Sequence, residues 1–548
     1  METLRQSMTW MHTWTGLLFG WMLYFMFLTG SAGYYDTEID RWMQPERPPA
    51  IEVTDANRVL LFEMALERAE EAMPKADEHR IFLPGDRSFS PFISIFSSTR
   101  NADDTVTRSS LQVLADGGPP PKTRETAGGQ RLYRMHWTYH YIPRFLGEII
   151  AGVVTMFMFA AIISGIITHK KIFKDFFTLR LGKGQRSWLD SHNIVSVMSL
   201  PFQIMITFSG LLLVVTTFFV PIFMAQYGDV LIAERGITPQ AISQIERDIT
   251  GRGDKIERTG KPAPQIDFAG MTATFETELP GEKISYVTVH NHGDSTSRVF
   301  MTARLEDGVL RRSPTVGFEV ASGDVIRVTK RNVRDTEDVI NVLEGLHEGL
   351  FAGPILRILY FVSGLLGAAM IATGLVLWTK KRRQNLRKGE AAERNLIIIE
   401  RINVGVIAGL AIGIAAYFYA NRLLPVGMEG RADMELNVLF LTWLAMVVHS
   451  LARPPQKAWI DQLVVAANIF MLIPVMNALT SSIHLGNTLP LPGRPGDMAL
   501  AGVDLWMLVI GAGFAYAARI AARKEANTRN TECKTKKVEK APAPQPAE

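Results

Sequence analysis

The chain has 548 residues, of which 47% are hydrophobic and 20% charged, with a formal net charge of only +4. That size allows several domains, and lysines and arginines gathered beside apolar runs give no basis for binding nucleic acid. The single cysteine, Cys533, excludes an intrachain disulfide, a CxxCH attachment for c-type haem and a cysteine-ligated iron–sulfur cluster.

Long uncharged runs alternate with polar stretches, the pattern of an integral membrane protein with soluble parts. The first run, Trp14 to Leu28, has the small residues Ser31-Ala32-Gly33 behind it, as a signal peptide would. Its leading segment holds only Arg5 against Glu2, and Trp10, Trp14, Tyr34 and Tyr35 flank it like an interfacial belt. A retained helix over about 12–34 is the better reading. Residues 36–135 form a small α+β module. It has a helix from Asn57 to Ala72, strands at 92–96 and 111–114, and a loop marked by Gly117-Gly118 and Pro119 to Pro121.

A second span covers 146–168. The basic loop that follows, with Lys170, Lys171, Lys174, Arg180, Lys183 and Arg186, is cytoplasmic by the positive-inside rule. The third span, 194–220, contains Pro201, which membrane helices tolerate when neighbours satisfy the backbone. Residues 221–346 repeat the order of helix (265–278) then strands (284–289, 298–302, 316–320, 325–328), which suggests two copies of one external module. His290 and His292 fall between two of these strands, where a hairpin loop is favoured over a metal site. The fourth span, 354–378, runs into Lys380, Lys381, Arg382 and Arg383, again cytoplasmic. A linker (381–396), four further spans (397–420, 436–451, 459–480, 501–520) and a charged, Pro/Ala-rich tail from 523 complete the chain. The tail is expected to be disordered, and both termini to lie in the cytoplasm.

Six of the eleven histidines sit at the ends of the first four spans. His12, His169 and His192 fall at cytoplasmic ends; His136, His140 and His347 fall at outer ends. In an up-down four-helix bundle the first and third helices are diagonal, as are the second and fourth, and bundle cores house porphyrins. The expected pairs are therefore His12 with His192 on an inner haem and His140 with His347 on an outer one. Glycines on these helices (Gly16, Gly20, Gly30, Gly147, Gly152, Gly165, Gly210, Gly364, Gly367, Gly374) permit close helix approach or a flat ring against a helix. Arg134, Arg144, Arg357, Lys170 and Lys171 are interfacial anchors or partners for propionates. His449 and His484, and Trp10, Trp14, Trp137 and Trp378, read as interfacial residues. Gly182-Lys-Gly184 and Gly511-Ala-Gly513 open no βαβ unit, so no dinucleotide site is expected. Hydrolase chemistry has no motif behind it.

Several motifs in fixed order resemble the PepSY-associated transmembrane family. They are His12-Thr-Trp-Thr-Gly16 with Leu28-Thr-Gly30, Tyr139-His140-Tyr141, Ser164-Gly165-Ile166-Ile167-Thr168-His169-Lys170-Lys171, Trp188-Leu189-Asp190-Ser191-His192-Asn193, and Leu346-His347-Glu348-Gly349 with Thr373 to Trp378. The external modules resemble its PepSY domains, and the resemblance covers about 1–385. It implies a bacterial inner-membrane protein in which two bis-His b-type haems, or a third involving His136 and His169, pass electrons to a periplasmic ferric siderophore or chelate. The donor would be quinol or a separate reductase. The expected fold is mainly α: a polytopic protein in the lipid bilayer, with a four-helix haem bundle, two small periplasmic α+β modules and four additional C-terminal helices. The competing expectation is a non-enzymatic membrane protein whose modules bind or inhibit a protease or an uptake component.

Overall fold

The computed structural model describes residues 3–85, 90–101, 106–169, 178, 180, 184–233, 257–331, 336–386, 391–492 and 496–539. In chain order the helices are α1 (Leu4–Ala32), α2 (Asp36–Met43), α3 (Asp55–Ala72), α4 (Gly128–Arg134), α5 (Arg144–Thr168), α6 (Gln185–Ala233), α7 (Phe268–Glu278), α8 (Thr336–Glu348), α9 (Pro354–Asn385), α10 (Ala391–Leu423), α11 (Arg431–Ala452), α12 (Pro455–Thr480), α13 (Leu485–Thr488) and α14 (Met498–Glu539). Among the described residues eight are long and apolar enough to cross a membrane: α1, α5, α6, α9, α10, α11, α12 and α14. The chain is a multi-pass membrane protein. All eight coincide with runs visible in the sequence, because about 20 apolar residues are needed to satisfy a bilayer core. One stretch differs. The charged tail is helical to Glu539, where composition suggests disorder; it continues the ladder of a long membrane helix, so no new nucleation is needed. Its Pro/Ala-rich end lies outside the described residues.

The first four spans form a ring in which α1 packs on α5, α5 on α6, α6 on α9 and α9 on α1. The pairs α1/α6 and α5/α9 are therefore diagonal, as an up-down bundle requires. The other four spans lean on this ring through α10, which touches α1 and α9. Trp21 donates to Asn403 (2.8 Å) and Tyr24 to the Ile407 carbonyl (3.0 Å) across that seam.

A buried polar network fastens the C-terminal helices at the end from which the strands emerge. Arg431 and Glu435 are both fully buried and ion-paired. Glu435 also accepts from Thr126 (2.6 Å) and Asn421 (2.8 Å). Arg422 stacks 3.7 Å from the Trp42 ring centroid, and the Trp42 indole donates to Asp504 at 2.9 Å. Charges buried in this way persist only when paired and hydrogen-bonded.

The strands are β1 (Glu78–Phe82), β2 (Ile93–Arg100), β3 (Val106–Val113), β4 (Ile284–His290), β5 (Arg298–Ala303), β6 (Thr315–Glu319) and β7 (Val325–Thr329). They form one antiparallel sheet in the order β3-β2-β1-β4-β5-β6-β7. The two α+β modules are thus fused edge to edge through β1 and β4, with Ile81 opposite Val287. Strand β1 reads Glu-His-Arg-Ile-Phe, too charged to stand out by composition. Its alternation places His79 and Ile81 on the covered face and Glu78, Arg80 and Phe82 on the other. Helices α3 and α7 cover one face over a core that includes Phe62, Phe275, Ile93, Val289 and Met301.

Candidate functional site

Four histidines meet in two pairs at opposite ends of the ring. At the end away from the sheet, His12 of α1 and His192 of α6 lie with ring centroids 6.3 Å apart and planes inclined by 61°. At the sheet end, His136, in the turn after α4, and His347, near the end of α8, have centroids 6.5 Å apart and planes at 21°. Two imidazoles on opposite sides of one iron, each bonded at about 2 Å, have centroids about 6.3 Å apart.

Every ring is held by its Nδ1. His12 donates to the Ala161 carbonyl (2.8 Å), His192 to Met370 (2.9 Å) and His136 to Tyr133 (2.6 Å). His347 donates to the Ser209 hydroxyl at 2.9 Å, whose own proton is committed to the Met205 carbonyl at 2.6 Å. The carbonyls fix the Nδ1–H tautomer, so each Nε2 carries a lone pair. Among the described residues no hydrogen bond ends on any of the four Nε2 atoms. Burial pushes the pKa of His136 down to about 4, and burial together with His136 pushes that of His347 down to about 3. Both are neutral at pH 7, the form in which imidazole ligates a metal.

Each ring lies against a glycine of a neighbouring helix. A Cβ built on Gly165 would stand 3.1 Å from His12 Cε1; on Gly374, 3.1 Å from His192 Cε1; on Gly210, 3.1 Å from His347 Cε1; on Gly30, 3.4 Å from His136 Cγ. A serine or threonine precedes every one of these glycines. Thr29, Ser164, Ser209 and Thr373 each return their hydroxyl to a carbonyl one turn back, at 2.8, 2.7, 2.6 and 2.7 Å. Such back-bonding satisfies the hydroxyl within its own helix. The arrangement repeats: His12 precedes Gly30 on α1, and His192 precedes Gly210 on α6, by eighteen residues in both cases. That spacing is about 27 Å along a helix. The halves α1–α5 and α6–α9 are therefore two copies of one plan, matching the two halves of the sheet. The individual glycines are legible in the sequence; their assignment one to each imidazole required the packing.

The pairing expected at the sheet end is corrected. His347 meets His136, and His140 turns away to stack on Phe440 of α11, with centroids 5.9 Å apart and planes at 7°. The cause is local. Helix α5 starts only at Arg144, so His136 and His140 occupy a turn and share no helical face. His169 caps the C-terminus of α5 and makes no ring contact with the far pair among the described residues. The arginines are also committed elsewhere. Arg357 is buried in an ion pair with Glu38, Arg144 bridges to Glu148 at 2.7 Å, and Arg134 donates to Gln130 at 3.1 Å. Lys170 and Lys171 lie outside the described residues. Near the far pair, Trp14 and Trp378 stack edge to face at 6.4 Å beneath Arg382.

His290 ends β4, and His292 follows in a turn where its Nδ1 donates to Glu70 at 2.9 Å. Glu70 also accepts from Nε2 of His79 at 3.0 Å, a buried histidine that sequence reasoning passed over because it sits in β1. Burial disfavours the charged form of Glu70, but the bonds from His292, His79 and the Lys75 N–H outweigh it and hold the carboxyl well below the usual range. Among the described residues no cluster of three or more ligating side chains suits a metal ion.

The donor set at each pair fits a haem: two neutral imidazoles, both Nδ1 atoms anchored, both Nε2 atoms uncommitted, and a bare glycine surface behind each ring. A family model described as PepSY-associated TM region matches residues 9–381, about two thirds of the chain, and takes in all four histidines. No curated protein matches the chain.

Proposed function

We propose that this chain, which belongs to the PepSY-associated transmembrane family, carries electrons across a bacterial inner membrane to reduce a periplasmic ferric siderophore or other ferric chelate. The single observation behind this reading is the two imidazole pairs, spaced for one iron each, at opposite ends of one bundle. Lysines and arginines at 380–383 and 170–186 favour a cytoplasmic far end. The sheet then lies in the periplasm and both termini in the cytoplasm. Haem b between each pair would supply one-electron chemistry.

The chain's own residues do the rest. His12 and His192 hold the inner group, and His136 and His347 the outer one. The carbonyls of Ala161, Met370 and Tyr133 and the Ser209 hydroxyl orient the rings and raise their basicity as ligands. The apolar helices around them exclude water and lower the local dielectric, which tunes a redox centre. A cavity of about 220 Å³ at the far end, lined by Trp188, Lys380, Arg383 and Lys524, gives a donor an approach. Trp188 lies one helical turn from His192. At the other end, reduction of Fe(III) lowers its affinity for hard oxygen ligands and releases the metal.

The test is absorbance of the purified protein from haem-replete cells. A Soret band, with α and β bands that sharpen on dithionite and decay when a ferric chelate is added, is the expected result. Colourless protein would overturn the reading and leave the sheet as a binding module.

A further inference from the structure

We infer that the face of the seven-stranded sheet opposite α3 and α7 is a docking surface for an anionic chelate with aromatic ligands, of the ferric tris-catecholate kind. The inference rests on the proposed reductase function and specifies its substrate. Among the described residues, helices α3 and α7 pack on one face. On the other, strand register lines up Phe96, Arg80, Thr288, Phe300, Gly317 and Arg327 across six strands. The adjoining row brings Phe82 beside Tyr286, their rings stacked at 4.6 Å, and Phe96 meets the edge of Phe82 at 5.7 Å. Phe96 remains 50% exposed, and the Arg80 side chain 52% exposed. An aromatic strip of this sort, exposed at Phe96 and half-buried at Phe82, Tyr286 and Phe300, marks an interaction site.

The charges on this face select the occupant. Arg80, Arg100, Arg108, Arg298 and Arg327 stand against Glu78 and Glu319 among its described strand residues, an excess of positive charge even with Arg80 paired to Glu78 at 2.6 Å and Arg298 opposite Glu319. An aliphatic ligand would use the rings but not the guanidinium groups, and a simple anion would use only the latter. A catecholate complex offers both flat rings for stacking and anionic oxygens for charge-assisted hydrogen bonds from arginine. The substituent-free Gly317, against which the Phe300 ring lies in the same row, keeps the strip flat.

The experiment uses the full-length protein in nanodiscs of neutral lipid. The probe is a gallium(III) tris-catecholate, which has the charge and shape of the iron complex but cannot be reduced. An uncharged gallium trihydroxamate is the comparison. The catecholate is expected to bind at least about tenfold more tightly and to weaken with salt. Arg80→Gln and Phe96→Ala, both at exposed positions, should each reduce affinity about tenfold, as should Arg327→Glu on the edge strand. Equal affinity for the two complexes, or catecholate binding unchanged in all three variants, overturns the inference. Capture of an acidic protein or self-association through this face, with no gallium complex bound, overturns it as well. Because the probe is redox-inert, haem-bearing protein that fails to bind it leaves the reductase reading intact. Colourless protein that binds it removes the reductase reading alone.

Discussion

At the scale of single residues, the site depends on what holds the imidazoles rather than on histidine count. The chain has six histidines near the ends of the first four spans, and four of them have a carbonyl or hydroxyl at Nδ1 together with a glycine behind the ring. This separates His136 from His140. In haem-replete cells His136→Ala should lower the haem-to-protein ratio by about one, and His140→Ala should leave it unchanged; pyridine haemochrome analysis reads both. A loss of haem in His140→Ala alone would restore the pairing expected from the sequence. Gly374→Val places methyl groups where the His192 ring lies, since even the first carbon would be 3.1 Å from it. The expected result is loss of the inner haem or an altered low-spin EPR signal, with the outer signal preserved.

At the scale of elements, the sheet is held together where its halves meet. Glu70 of α3 clasps His79 of β1 and His292 beyond β4, so one carboxylate ties both modules. Its folded pKa lies below the roughly 4.3 of an unfolded glutamate. The clasp therefore contributes fully above about pH 4.3 and is lost as the pH falls further. The thermal stability of the sheet should fall below that pH in the native chain. Glu70→Gln should melt lower at pH 7 and show a smaller change on acidification. Parallel pH profiles for the two proteins would remove Glu70 from the account. Strand β1 itself is a reminder that a five-residue strand with three polar residues shows its alternation only once its neighbours cover one side.

At the scale of the whole molecule, the four C-terminal spans, which lie beyond the family match, hold Trp42 and residues 125–127 through a buried polar network centred on the Arg431–Glu435 ion pair. Removing one partner of such a pair strands the other, at a cost of about 3–5 kcal/mol. Glu435→Ala leaves the fully buried Arg431 without its carboxylate. The expected result is a clear drop in thermal midpoint in detergent, with protease sensitivity appearing first near residues 121–127, which Glu435 and Arg431 anchor. A midpoint unchanged from the native protein would mean that the brace contributes nothing to stability.

The eight spans, the repeated order of helix then strands and the histidines at both ends of the first four spans were legible in local composition, because a bilayer demands an unbroken apolar run. Packing was needed to show that β1 and β4 fuse the modules into one sheet, that the ring beside His347 is that of His136, and that Arg357 pairs with Glu38. Those outcomes depend on which faces meet across hundreds of residues. Register, turn geometry and the fit of a ring against a glycine are properties of pairs, and no single stretch of chain carries them.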